Sequence, residues 1–175
     1  CALPISSTVY IGLGSNIQQP EQQIKQAIEA LNDLSMTKVI RDSGYFKSRP
    51  MGPENQPDYV NAVVELNTSL TAIELLHHCQ QIEQQQGRVK LRHWGERCID
   101  LDILLYADQQ IQTQDLTIPH PGIALRDFVF MPLLKLNPDI KISGVGRLGD
   151  VTQFQEKSAA AGTDYNCHFT GDIDR

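Results

Sequence analysis

With 175 residues, 41% of them hydrophobic and 21% charged, the chain has ordinary globular composition and enough length for one self-supporting domain. That excludes a disordered chain, and no apolar tract approaches the roughly 20 residues of a membrane-spanning helix. A net charge of −6 excludes a broad nucleic-acid surface, which needs basic side chains to neutralise phosphates.

Residues 1–7, CALPISS, lack the basic-then-apolar order of a signal peptide and read as a leader or appended segment. Cys1, Cys79, Cys98 and Cys167 show no paired spacing, so they are expected to be free thiols in a reducing cytoplasm. TVYIGLG, residues 8–14, reads as a β-branched, apolar strand ending in glycine. The following GLGSN has neither the later glycine of a dinucleotide fingerprint nor the lysine of a P-loop. A helix is expected next, with Pro20 at its first position, Glu21 in its first turn, and Ile24, Ala27, Ile28, Leu31 and Leu34 on one face.

A second strand is expected over residues 38–48, and then SRPMGPENQPD, whose three prolines and one glycine suit only a loop. In YVNAVVEL the alternation sends Val60, Ala62, Val64 and Leu66 to one face and Tyr59, Asn61, Val63 and Glu65 to the other. Thr71 and Glu74 form a capping box that opens a second helix, with Ile73, Leu76, Cys79 and Ile82 as its apolar stripe and Gly87 at its end. Gln80 and Glu83 flank that stripe, where ordinary solvated helix residues would also sit.

CIDLDILLY closes the series, with Ile99, Leu101, Ile103 and Leu105 on one strand face and Asp100, Asp102, Leu104 and Tyr106 on the other. The order β-α-β-β-α-β is that of an α/β (α+β) ferredoxin-like sandwich, helices on one face of a largely antiparallel sheet and the other face partly open. Periodicity fades after about residue 150, so the C-terminal stretch reads as a weakly ordered tail.

Carboxylates at i and i+2 of a strand project from one face roughly 6.5–7 Å apart, close enough to converge on one or two metal ions. Oxygen ligands without a Cys/His set favour Mg²⁺, which completes its shell with water and substrate phosphates. A pair of solvent-facing aspartates would leave the same trace. Arg88, Lys90, Arg92, His93 and Arg97 crowd into residues 88–97 just before the couplet, and basic side chains beside paired carboxylates suit a small polyphosphate. A solvated surface loop is the plainer reading of that charge run. Trp94, the only tryptophan, is either a flat lid or a core anchor. His120, held extended between Pro119 and Pro121, could reach a phosphate or simply face solvent.

HWGERCIDLDIL, residues 93–104, resembles the signature of the 6-hydroxymethyl-7,8-dihydropterin pyrophosphokinase family. The resemblance extends to GLGSN, SRPMGP, QPDYVN, IEQQQGR, and TIPHP through RDF, covering about residues 8–150. It implies a pyrophosphokinase domain over 8–154, a tail over 155–175, and transfer of the β,γ-diphosphate of ATP to the pterin hydroxymethyl group, releasing AMP. It implies that Asp100 and Asp102 bind two Mg²⁺ ions, and that Arg88 and Arg97 assist transfer. Tyr59 and Phe128 would sandwich the pterin ring, with Asn61 and Ser48 at its edge, Met51 and Gly52 beside it, and Trp94 closing over it. Gln80, Glu83, Ile103, Thr117, His120 and Arg126 would hold ATP. Small-molecule substrates, a monomer, and no nucleic-acid or membrane partner complete the expectation. Ser48 stands where the family usually has Thr, Arg49 where Pro is common, and Asp115 where a basic residue is familiar. A two-metal phosphodiesterase and a non-catalytic ferredoxin-like regulator remain the other classes compatible with these residues.

Overall fold

The computed structural model describes residues 6–16, 19–48, 59–87, 99–152 and 167–174. In chain order its elements are β1 (Ser7–Ser15), α1 (Pro20–Asn32), β2 (Thr37–Asp42), β3 (Tyr45–Ser48), β4 (Tyr59–Thr68), α2 (Ala72–Gly87) and β5 (Asp100–Tyr106). There follow β6 (Ile111–Gln112), β7 (Thr117–Ile118), α3 (Asp127–Leu136), β8 (Lys141–Ile142), β9 (Gly146–Arg147) and β10 (Cys167–Gly171). Among these helices none is long and apolar enough to cross a membrane.

The main sheet has six strands in the order β10, β3, β4, β1, β5, with β2 also on β4, and every pairing is antiparallel. This is the expected α/β arrangement of an antiparallel sheet carrying helices. The single strand expected over 38–48 is two. Gly44 breaks it with φ 79°, in the left-handed region that glycine enters without steric cost. The Ser43 hydroxyl accepts the Val63 amide at 2.9 Å beside that break, so β2 and β3 both stay on β4.

Two cores lie back to back on the sheet. On one face α1 sets Ile24, Ala27, Ile28 and Leu31, all fully buried, against Val9, Ile11, Val64 and Leu66. α2 opens on its capping residue, since the Glu74 amide donates to Thr71 Oγ1 at 3.2 Å. Its buried stripe is Ala72, Leu75, Cys79 and Ile82, not the one expected from Ile73 and Leu76. Ile73 lies one helical step, about 100°, round from Ala72 and is exposed.

The opposite face is not left as open as the pattern suggests. α3, absent from the expected series, lays Val129, Phe130, Leu133 and Leu136 over Tyr10, Val63, Leu104 and Leu105. A register shift where β1 meets β5, between Tyr10 and Ile11, upsets the alternation, so Leu104 and Leu105 both join this second core while Tyr106 turns to the first. At the far end of α3, Asn137 Nδ2 donates to the Tyr10 hydroxyl at 3.4 Å. That hydroxyl donates to Glu65 Oε1 at 2.7 Å, and Arg41 grips the same carboxylate at 2.9 and 3.2 Å. The Arg41 guanidinium holds the Glu65 carboxyl below its ordinary 4.5, and burial raises the Tyr10 hydroxyl above 10.

The tail departs from expectation over its last part. Cys167–Gly171 form β10, paired with β3 and fastened where Phe169 meets Phe46 edge-on at 5.6 Å and Lys135 Nζ stands 3.5 Å from the Phe169 ring centre. Residues 155–166 and 175 of the tail lie outside the described residues.

Candidate active site

Directly opposed residues of an antiparallel pair share a face, so the register locates the acidic couplet. Asp100 faces Gly14 and Asp102 faces Gly12 on β1, and across β1 these glycines face Asn61 and Val63 on β4. Ser48 faces Tyr59 one step further out. Ser48, Tyr59, Asn61, Asp100 and Asp102 therefore share one face of the sheet, at the end that α3 leaves uncovered. Asp100 and Asp102 are exposed there, with Asn61 and Ser48 buried beside them. Asn61 Nδ2 donates to Ser48 Oγ at 3.3 Å.

A second group approaches from the chain after β7. The His120 amide donates to the Leu104 carbonyl at 2.9 Å, which pins residue 120 against β5. His120 Nδ1 accepts the Gly122 amide at 3.0 Å, so the neutral ring carries its proton on Nε2 as a donor. Burial lowers the His120 pKa below 6.5, against the opposing pull of Asp102 and with a further push from Arg126. Arg126 passes over Gly122, where a β-carbon would lie 3.1 Å from its Nε and 3.3 Å from His120 Cε1. Its guanidinium carbon stands 5.9 Å from the centre of the Phe128 ring. Arg126 is the N-cap residue of α3 and Phe128 lies in its first turn, so the helix that builds the second core also delivers these side chains.

The remaining candidates divide. Glu83 lies one turn after Cys79 on α2, and its charge and that of Asp102 add to the burial that pushes the Cys79 thiol up to about 12. Gln80 and Thr117 are exposed on α2 and β7. Ile103 does not present its side chain to this face: it is buried in the core under α1 and α2, leaving only its main chain to offer a ligand. Arg88, Trp94, Arg97, Met51 and Gly52 lie outside the described residues. Two residues that the sequence pattern did not single out also shape the site. Gly14 and Gly122 make room for Asn61 and Arg126, and a glycine gives no sign of the neighbour it admits until the fold is known.

A family model described as "7,8-dihydro-6-hydroxymethylpterin-pyrophosphokinase (HPPK)" matches residues 10–138, the span that holds every described site residue. The chain belongs to this family. It is 49% identical over 133 residues to a 2-amino-4-hydroxy-6-hydroxymethyldihydropteridine pyrophosphokinase of Haemophilus influenzae, covering 76% of this chain and 83% of that one. A Pseudomonas aeruginosa protein of the same name is 42% identical over 134 residues, covering 77% and 83%. A solved Plasmodium falciparum HPPK-DHPS structure with pteroate overlays at a TM-score of 0.73 and 13% identity, which speaks to fold alone. It covers 95% of this chain and 46% of that one, so the chain spans about half the solved protein. As a family member the chain is an ATP-dependent pyrophosphokinase of folate biosynthesis, with ATP as co-substrate and a hydroxymethyldihydropterin as acceptor.

Proposed function

We propose that the uncovered face of the sheet is where the two substrates meet, and that Asp100 and Asp102 hold Mg²⁺ there. The donor set fits: two exposed carboxylates on one strand face, with no third acidic, His or Cys ligand grouped with them among the described residues. Such a sparse oxygen set suits Mg²⁺, which takes one or two carboxylates and leaves the rest of its shell to water and phosphate. Bound there, the ion supplies charge neutralisation for the ATP phosphates and favours ionisation of the acceptor hydroxyl.

The chain's own residues bind and orient. The pterin hydroxymethyl oxygen attacks the β-phosphorus of ATP, the bond from that phosphorus to the oxygen it shares with the α-phosphorus breaks, and AMP leaves. The hydroxyl proton goes to solvent. No side chain acts as nucleophile, because alignment and charge stabilisation carry phosphoryl transfer. His120, donating from Nε2, and Arg126 hold phosphate oxygens, while Gln80, Glu83, Thr117 and the Ile103 main chain hold the rest of the nucleotide. Tyr59 and Phe128 stack on the pterin ring, and Asn61 and Ser48 meet its edge. Arg88 and Arg97 assist transfer, Trp94 closes over the ring, and Met51 and Gly52 line it. The free cysteines Cys79 and Cys167 suit a cytoplasmic enzyme, working as a monomer on two small molecules without nucleic acid or membrane.

One observation carries this reading: the register sets Asn61 and Ser48 beside the acidic couplet on one patch of sheet, and the His120 amide holds its loop to Leu104 on the couplet's own strand. The test is AMP release from ATP, Mg²⁺ and 6-hydroxymethyl-7,8-dihydropterin. Asp100→Ala and Asp102→Ala should each slow it by roughly 10²–10³-fold at an unchanged melting temperature. Normal turnover in either variant, or loss of the fold, would remove the metal assignment.

A further inference from the structure

We propose that Gly14 is a positioning residue for the acceptor ring: the side chain it lacks is the space in which the Asn61 amide lies. A β-carbon built on Gly14 would stand 2.8 Å from Asn61 Oδ1, closer than real β-carbons approach an oxygen, with Asn61 Cγ at 3.8 Å and the Val60 carbonyl at 4.0 Å. The one atom in conflict is the amide oxygen. Backbone lies at ordinary contact distance, and Gly14 does not occupy the left-handed region, so β1 itself can accept a side chain there.

The Asn61 amide is held from the other side as well. Its nitrogen donates to Ser48 Oγ on β3, which leaves the oxygen directed over β1. Among the described residues that oxygen accepts no hydrogen bond, and although Asn61 is buried this atom is not wholly so, which leaves it available as an acceptor to a ligand on this face. Ser48 thus fixes which end of the amide faces β1, and Gly14 fixes how low the amide lies. A flat heterocycle presenting a ring N–H would meet this acceptor at one height only. Gly12 differs although it lies on the same strand face. A β-carbon there would have the Leu104 side chain as its nearest neighbour, in ordinary contact at 3.5 Å. The two glycines of GLG are therefore not equivalent.

This rests on the assignment of Asn61 to the ring edge. Calorimetry with 6-hydroxymethyl-7,8-dihydropterin, in the presence of Mg²⁺ and a non-hydrolysable ATP analogue, tests both on wild type, Gly14→Ala, Asn61→Ala and the double variant. The expected result is that Gly14→Ala loses about tenfold in pterin affinity. Its affinity for the analogue alone and its melting temperature should stay at wild-type values, with Gly12→Ala reporting what an added strand methyl does to melting. In the Asn61→Ala background, Gly14→Ala should cost nothing further. Ser48→Ala, which removes the other hold without adding an atom, should weaken pterin binding and leave the analogue unaffected. If Asn61→Ala weakens pterin binding and Gly14→Ala does not, the positioning role is wrong while the ring assignment stands. Equal losses from Gly14→Ala in both backgrounds would mean that the methyl meets the ligand directly, and a Gly14→Ala protein that fails to fold would mean that backbone yields instead of the amide. Either result overturns the proposal. Unchanged pterin binding in Asn61→Ala removes the ring assignment and this inference together.

Discussion

His120 has two ring nitrogens with different tasks, and only one is available to a ligand. Nδ1 is engaged by the Gly122 amide, so Nε2 is the donor, and a neutral ring at pH 7 follows from the lowered pKa. His120→Ala should weaken ATP binding by about tenfold, the worth of a hydrogen bond to a charged oxygen, and leave pterin binding in place. Parallel titrations with the two ligands check this, and equal losses would assign His120 to the fold of its loop instead. At this scale the sequence is informative where spacing itself implies geometry. Asp100 and Asp102 share a strand face because they are two residues apart, and the register bears that out. It is silent where a residue acts by being small. Nothing in GLG or HPG tells that Asn61 lies over one glycine and Arg126 over the other.

Among the elements, α1, α2, β1, β4 and β5 follow from periodicity, and the misjudged ones have physical reasons. α3 is apolar nearly all round and carries Pro132 inside, so it shows neither a polar face nor an unbroken pattern. The shift beside Leu104 reverses the alternation of β5, which a strict period of two cannot reveal. β10 owes its place to partners distant in sequence, with Phe169 lying over Gly44 and beside Lys135. That contact makes Gly44 a strong test. A β-carbon there would lie 2.6 Å from Phe169 Cε2 and 2.8 Å from the Gly171 carbonyl, on a residue already at positive φ. Gly44→Ala should cost about 1–3 kcal/mol in urea unfolding and speed hydrogen exchange in residues 167–171 before the rest of the sheet. Uniform exchange across the sheet would show that β10 is not separately fastened by this contact.

For the molecule as a whole, one sheet serves two cores, and on the side of the second one Tyr10, Glu65, Arg41 and Asn137 tie the end of α3 to β1, β2 and β4. Glu65 has its carboxyl pKa lowered in the folded state, chiefly by Arg41. The stabilisation is therefore complete well above pH 4.5 and is lost as pH falls through the lowered folded value, because the unfolded chain takes up the proton first. Arg41 is half exposed, so solvent reduces what the pair is worth. Glu65→Gln should cost about 1 kcal/mol at pH 7, and its difference from wild type should shrink as the pH is lowered past 4.5. Urea titrations at several pH values follow this, and a constant difference would assign the loss to packing.

The outermost place of β5 has a consequence for solution behaviour. A terminal strand offers unpaired peptide groups to any passing chain, and charged side chains on it are one way that proteins discourage such addition. The His120 amide blocks this margin at Leu104, and the two aspartates occupy the end beyond it. The carboxylates that await a cation would also keep neighbouring molecules from stacking strand to strand. A doubly neutralised variant, Asp100→Asn with Asp102→Asn, should scatter more light than wild type at high concentration while melting at the same temperature. Equal scattering would confine the couplet's role to its ligands.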